Sequence, residues 1–220
     1  MINYVIFDMD GTLFDTEKLY RKTWVEIGEE WGFNGIAELY PRVVGRSREL
    51  IIEMMKELYG DQHDYVEFFR QRTDYFRRLT AEHIPLKAGC VEILDFLKDH
   101  RIPCAVATST KDPIASENLK KAGVYHYFDA VVAGDAVKNG KPFPDIFEEA
   151  AKRIGADADR TAVCEDSYNG IIAAHAAKMK PVMVIDMLEP TDEIAPLTYA
   201  ITDTLFEVID LIKKENNIQF

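Results

Sequence analysis

The feature that most narrows the possible folds is a set of short apolar runs, each ending abruptly at a polar residue. Tyr4-Val5-Ile6-Phe7 stops at Asp8, Cys104-Ala105-Val106-Ala107 at Thr108, and Thr161-Ala162-Val163-Cys164 at Glu165-Asp166. Asp129 to Ala133 and Pro181 to Asp186 hold two more such runs. None shows the apolar–polar alternation of a half-exposed strand, so they read as strands buried on both faces, as in a parallel sheet. Between them lie segments of helical period. Val91, Ile93, Leu94, Phe96 and Leu97 recur on one face. Ile114, Leu119 and Ala122 precede a stop at Gly123, and Ile146, Phe147, Ala150, Ala151 and Ile154 precede Gly155. Asn169–Lys178 and Phe206–Lys214 are also helix-prone. Strand and helix alternate from residue 85 onward, which predicts an α/β fold with a doubly wound, Rossmann-like parallel sheet.

Residues 15–82 break this alternation. Leu19, Trp24, Ile27 and Trp31, then Leu50, Ile51, Met54, Met55 and Leu58, then Phe68, Phe69, Tyr75, Phe76 and Leu79 follow helical spacing, with no buried-strand run among them. The expected organisation is a core of residues 1–14 and 83–220, interrupted by a small helical domain of residues 15–82 over the carboxyl edge of the sheet.

Composition excludes several function classes. With 26 Lys+Arg against 38 Asp+Glu the net charge is −12, so the chain repels a polyanion and no nucleic-acid partner is expected. A small anion in a cleft remains compatible, because it responds to local charge. The 47% apolar content excludes global disorder. No apolar run approaches the ~20 residues of a membrane span, and no basic segment precedes the first run, so neither membrane nor signal peptide is expected. Cys90, Cys104 and Cys164 have no metal-ligand spacing. Cys104 and Cys164, inside apolar runs, read as buried. Cys90 follows Gly89 at a helix start, where a thiol could be activated, but has no His nearby in sequence. As reduced thiols the three fit a cytoplasmic protein. The five histidines likewise lack metal-ligand spacing and read as structural or surface residues.

In open α/β sheets, ligands bind beyond the carboxyl ends of the strands. There the sequence places Asp8, Asp10, Gly11 and Thr12; then Thr108, Ser109, Thr110 and Lys111; then Lys138 and Lys141; and then Glu165, Asp166 and Ser167. Each alone has an ordinary alternative. An Asp at a strand end caps a turn, a loop Lys is solvated, and Ser109 or Thr110 caps a helix. Together they are a cluster of carboxylates that is costly unless a cation binds it. The available ligands are oxygens, which points to Mg²⁺ rather than Zn²⁺. Such a site beside Lys and helix N-termini suits a phosphoryl group, with a carboxylate as nucleophile.

These residues also carry a resemblance. Asp8-Met9-Asp10-Gly11-Thr12-Leu13 resembles the first motif of the haloacid dehalogenase-like hydrolases, and Thr108 resembles the second. Gly140-Lys141-Pro142-Phe143-Pro144-Asp145 resembles the third, and Glu165-Asp166-Ser167-Tyr168-Asn169-Gly170 the fourth. The four motifs occur in order over nearly the whole chain. Residues 15–82 resemble the α-helical cap of the branch that holds β-phosphoglucomutase and sugar-phosphate phosphatases. The resemblance implies that Asp8 attacks phosphorus, that Asp10 is general acid and base, and that Thr108, Lys141 and the Ser109 amide hold the phosphoryl oxygens. It also implies Mg²⁺ held by Asp8, the Asp10 carbonyl and Asp166, with Glu165 a direct or water-mediated ligand. The true dehalogenases lack the second acid, Asp10, so dehalogenation is discarded.

Substrate specificity is expected from the cap, where Gly45-Arg46-Ser47-Arg48 forms a basic turn before a helix. Either Ser47 caps that helix and the arginines are solvated, or Arg48 grips the distal part of the substrate, as a cap arginine does in β-phosphoglucomutase-like relatives. Tyr20 stands where the mutase carries a histidine, and Gln71-Arg72 where it carries a lysine. The leading expectation is a Mg²⁺-dependent phosphatase of a small phosphorylated metabolite, a sugar phosphate, as a monomer or weak homo-oligomer. The alternatives are a β-phosphoglucomutase-type transfer to a sugar hydroxyl and a catalytically idle binding module. The last should have lost one of Asp8, Asp10, Lys141 or Asp166, and all are present.

Overall fold

The computed structural model describes residues 1–44, 46 and 48–218. The chain divides into two compact units, one of residues 1–15 and 84–220, the other of residues 16–83.

The first unit is built on a six-stranded, all-parallel sheet. Its strands are β1 (Tyr4–Phe7), β2 (Cys104–Ala107), β3 (Ala130–Val132), β4 (Thr161–Glu165), β5 (Lys180–Val184) and β6 (Ala200–Thr202), in the order β3-β2-β1-β4-β5-β6. The first three strands progress outward from β1 and the last three lie on its other side. Strand direction of travel therefore switches at β1, where open α/β sheets form their ligand crevice. Register aligns Phe7 with Val106 on one side and Cys164 on the other. One residue further, Asp8, Ala107 and Glu165 are level.

Burial on both faces explains the unalternating runs. Val5, Phe7, Cys104, Val106, Ala162 and Cys164 point into one apolar layer, while Ile6, Ala105, Ala107 and Val163 point into the other. The first layer is closed by α5 (Cys90–Asp99), α6 (Ile114–Lys121) and α9 (Leu205–Asn216), the second by α7 (Asp145–Ile154) and α8 (Tyr168–Ala176). Within α5 the packed face is Ile93, Leu94 and Leu97; Val91 and, in α6, Ile114 are exposed despite their place in the periodic pattern. The edge strand β6 was not foreshadowed by any apolar run.

The second unit consists of α1 (Glu17–Glu30), α2 (Ile36–Val43), α3 (Arg48–Tyr59) and α4 (Tyr65–Leu79). Its core is aromatic: Trp24, Phe33 and Phe68 are at most 2% exposed, and Trp24 and Phe68 meet edge to face at 5.7 Å. The Trp24 indole N–H donates to the Ile36 carbonyl at 2.7 Å, tying α1 to α2. In α3 the buried residues are Ile51 and Met55, whereas Leu50 and Leu58 are exposed. The start of this helix at Arg48 is observed; Gly45 and the expected cap Ser47 lie outside the described residues.

Candidate active site

The end of β1 sits between two neighbouring strand ends, and the residues immediately beyond all three meet there. Asp8 is 7% exposed, with its amide donating to the Cys164 carbonyl at 2.9 Å. The chain then turns out of the sheet at Gly11, whose φ is +88°. A Cβ at this position would lie 2.3 Å from Asp166 Oδ2, so glycine is required both for the backbone and for the carboxylate's place. Thr12 donates its hydroxyl to Asp166 Oδ1 at 3.0 Å.

Lys141 ties the cluster together. Its buried Nζ donates to Asp8 Oδ1 at 2.5 Å and to Glu165 Oε1 at 2.6 Å, and lies 4.9 Å from the centre of the Phe147 ring. Glu165 is 1% exposed and has its second oxygen engaged too, accepting the Ser167 amide at 2.7 Å. Ser167 in turn caps α8 by accepting the Gly170 amide. Glu165 thus fixes Lys141 and, through Ser167, the start of α8. Among the described residues Asp8 Oδ2 has no hydrogen-bond donor, which leaves it as the oxygen able to attack.

On the neighbouring strand, Thr108 is 1% exposed and its hydroxyl accepts the Thr110 amide at 3.1 Å. The hydroxyl proton is thereby directed away from Thr110. Ser109 is exposed, and its amide has no acceptor among the described residues. Thr110 donates its hydroxyl to Asp10 Oδ2 at 2.9 Å. Lys138 is exposed and takes no part. Of the sequence-derived core residues, Asp8, Lys141 and Glu165 are joined directly, and Asp10 and Thr108 are joined through Thr110. Asp166 is held by Thr12, which follows Asp8 and Asp10 on the same loop.

Burial drives the electrostatics. Removal from water pushes the Asp8 carboxyl up to about 7, against the opposing pull of Lys141 and with Glu165 and Asp10 adding repulsion. Asp166 is raised well above the ordinary range, by burial first and then by the charges of Glu165 and Asp8. Burial works against the Lys141 charge, but Asp8 and Glu165 outweigh it and hold the ammonium above its usual range. Among the described residues no three carboxylate, imidazole or thiolate groups stand close enough to enclose an ion as placed, because Lys141 lies between Asp8 and Glu165. The donor chemistry nevertheless fits a hard divalent cation. Every candidate donor is an oxygen, and burial and mutual repulsion make the carboxylates reluctant to ionise together.

Two features carried no legible signal, and a third, lined partly by cap residues that the sequence had singled out, was legible only in part. Thr110 sits beside Thr108, where a helix-capping role was the simpler expectation, yet the side chain that caps the start of α6 is Asp112, which accepts the Ser116 amide. Lys87 reaches across 99 residues to pair with Asp186 at 2.6 Å, and the Asp186 charge adds to the repulsion at Asp166. The third is in the helical unit. A cavity of about 330 Å³ there is lined by Arg46, Arg48, Arg72, Tyr20 and Phe69 among others. Arg48 and Arg72 stand 5.0 and 5.5 Å from the centre of the Phe69 ring, and Tyr20 stacks on Phe76. Arg72 recurs three residues after Phe69 on α4, which places it on the same helix face. The thiols are inert: Cys90 and Cys104 are buried and pushed up to about 12 by that burial.

The family model for haloacid dehalogenase-like hydrolase matches residues 5–184 of the chain. The phosphorylated carbohydrates phosphatase of Thermotoga maritima is 37% identical over 180 residues, 81% of this chain and 82% of that one. The fructose-1-phosphate phosphatase YqaB of Escherichia coli is also 37% identical, over 82% of this chain and 95% of its own. Among solved structures, a candidate β-phosphoglucomutase from Thermotoga maritima superposes with a TM-score of 0.81 at 31% identity. That match covers 97% of this chain and 99% of the other.

Proposed function

The chain belongs to the haloacid dehalogenase-like hydrolases, and on that premise we propose that it is a phosphatase of small phosphorylated metabolites, acting through an aspartyl-phosphate. The observation that carries this reading is the Asp8 carboxylate, buried, with Oδ1 fixed by Lys141 and Oδ2 left to attack. The relatives that act on phosphorylated carbohydrates and fructose 1-phosphate support a sugar phosphate as substrate.

Asp8 Oδ2 bonds to phosphorus as the ester P–O bond breaks, and Asp10 passes its proton to the departing oxygen. Asp10, now ionised, takes a proton from water as that water attacks phosphorus, and the Asp8–phosphorus bond breaks to release phosphate. Lys141 offsets the negative charge on Asp8 and on the transferred group throughout, and Thr108 and the Ser109 amide donate to the phosphoryl oxygens. Asp8, the Asp10 carbonyl and Asp166, with Glu165 direct or through a water, would hold Mg²⁺, which when bound neutralises charge on the transferring group. The two occupied oxygens of Glu165 favour the water-mediated arrangement. Arg48, in the helical unit, is the residue that the resemblance assigns to the part of the substrate remote from phosphorus. Three buried free thiols fit a cytoplasmic setting.

The likeness to a candidate β-phosphoglucomutase supports transfer to a sugar hydroxyl as a second reading. Tyr20, stacked on Phe76 in place of a histidine, weighs against it. Both are tested by one experiment: turnover of a panel of phosphate esters with Mg²⁺, following free phosphate and sugar isomerisation. Phosphate release from at least one sugar phosphate is expected. Isomerisation without release selects the mutase, and no turnover of any ester refutes both.

A further inference from the structure

Resting on the acid–base role proposed for Asp10, we infer that Thr110 is the positioning residue for that acid, holding its carboxyl in the one orientation that delivers a proton to the leaving group. Thr110 is pinned at both backbone groups. Its amide donates to Thr108 Oγ1 at 3.1 Å, and its carbonyl accepts the Gly134 amide at 3.0 Å. The second bond needs glycine at 134, since a Cβ there would lie 2.3 Å from the Ser109 carbonyl oxygen. With the backbone fixed, the β-branched side chain has little freedom at χ1, and its hydroxyl is committed to Asp10 Oδ2 at 2.9 Å.

The consequence is chemical. A carboxylic acid can carry its proton on either oxygen. With Oδ2 already accepting a hydrogen bond from Thr110, the proton is held on Oδ1, and rotation that would exchange the two oxygens breaks that bond. Capping does not explain the side chain, because Asp112 fills that role at the start of α6. Nor does burial of a polar group explain it, since Thr110 is only half-buried and water could serve its hydroxyl.

The test separates positioning from stability by leaving-group dependence. kcat/KM covers steps only up to transfer of phosphorus to Asp8, so the later role of Asp10 as base does not enter it. p-Nitrophenol leaves as an anion without help, whereas the alcohol of glucose 6-phosphate or glycerol 2-phosphate needs a proton. Thr110→Val should therefore lower kcat/KM for the alkyl phosphates about 10-fold or more and for p-nitrophenyl phosphate less than about 2-fold. Thr110→Ser, which keeps the hydroxyl, should restore most of the alkyl activity. Asp10→Asn should show the same signature, larger, by ~10²–10⁴-fold. Equal losses on both ester classes in Thr110→Val, or no loss, overturn the inference while leaving Asp10 as the acid. If Thr110→Val is insoluble, Thr110→Ser and Thr110→Ala supply the comparison, and equal ratios between ester classes in those two overturn it likewise. Should Asp10→Asn lack the signature, the acid role itself falls.

Discussion

Replacing the nucleophile should make the metal-free protein more stable, and by an amount that depends on pH. Asp8 is held at about 7 against an ordinary 3.8, mainly by burial. The folded state therefore binds this proton more tightly than the unfolded chain. Stability from the raised group is fully present below about pH 4 and is lost as pH rises through about 7. Each factor of ten in proton affinity is worth about 1.4 kcal/mol. Ionising Asp8 in the folded state therefore costs at most about 4 kcal/mol, a value that already includes the attraction of Lys141. Asn at this position resembles the protonated acid in size and in lacking charge. Asp8→Asn should thus unfold at the wild-type temperature near pH 4. By pH 8 it should exceed wild type by up to roughly 10 °C, at about 2–4 °C per kcal/mol for a chain of this size. The assay is thermal unfolding of EDTA-treated proteins from pH 4 to 8, where the difference between variants cancels the other titrating groups. The same variant should have no turnover, since the amide is a far poorer nucleophile. Equal or lower stability at pH 8 would refute the electrostatic account of the site, and retention of more than a few per cent activity would refute the covalent route.

Asp10→Asn should lose ~10²–10⁴-fold in turnover of alkyl phosphates while substrate still binds, measured by kinetics and by equilibrium titration. Chelation should silence the enzyme and Mg²⁺ restore it, whereas Ca²⁺, with its longer and looser coordination, should not; full activity in Ca²⁺ alone would contradict a positioning role for the cation. Arg48→Ala should lower kcat/KM about 10-fold for the best sugar phosphate from the panel, equal to ~1.4 kcal/mol, and leave p-nitrophenyl phosphate unchanged, because that ester has nothing remote to grip. Equal losses on both would show that Arg48 acts on the phosphoryl group or on folding instead.

What the amino-acid order determined by itself was local and chemical. Runs such as Tyr4–Phe7 and Cys104–Ala107 could be recognised as buried parallel strands because a strand covered on both faces has no polar side to encode, and Ile6 and Phe7 indeed enter opposite layers. Asp8, Thr108 and Glu165 could be placed at one edge because each polar residue begins where its run ends, and a parallel sheet aligns those ends. Three-residue β6 was invisible for the converse reason: Ala200–Thr202 is an edge strand with an exposed Ile201, too short and too mixed to form a run. Exposed Leu50 and Val91 show the limit of periodicity, which locates a helix but not the width of the face that its neighbours cover. Tertiary structure alone decided which partner each charged group takes. Lys141 bridges Asp8 and Glu165 across separations of 133 and 24 residues, and Thr110 meets Asp10 across 100. Such pairings depend on which strands lie side by side and in what register. No short-range pattern carries that information, because the hydrogen bonds forming the sheet join residues far apart in the chain.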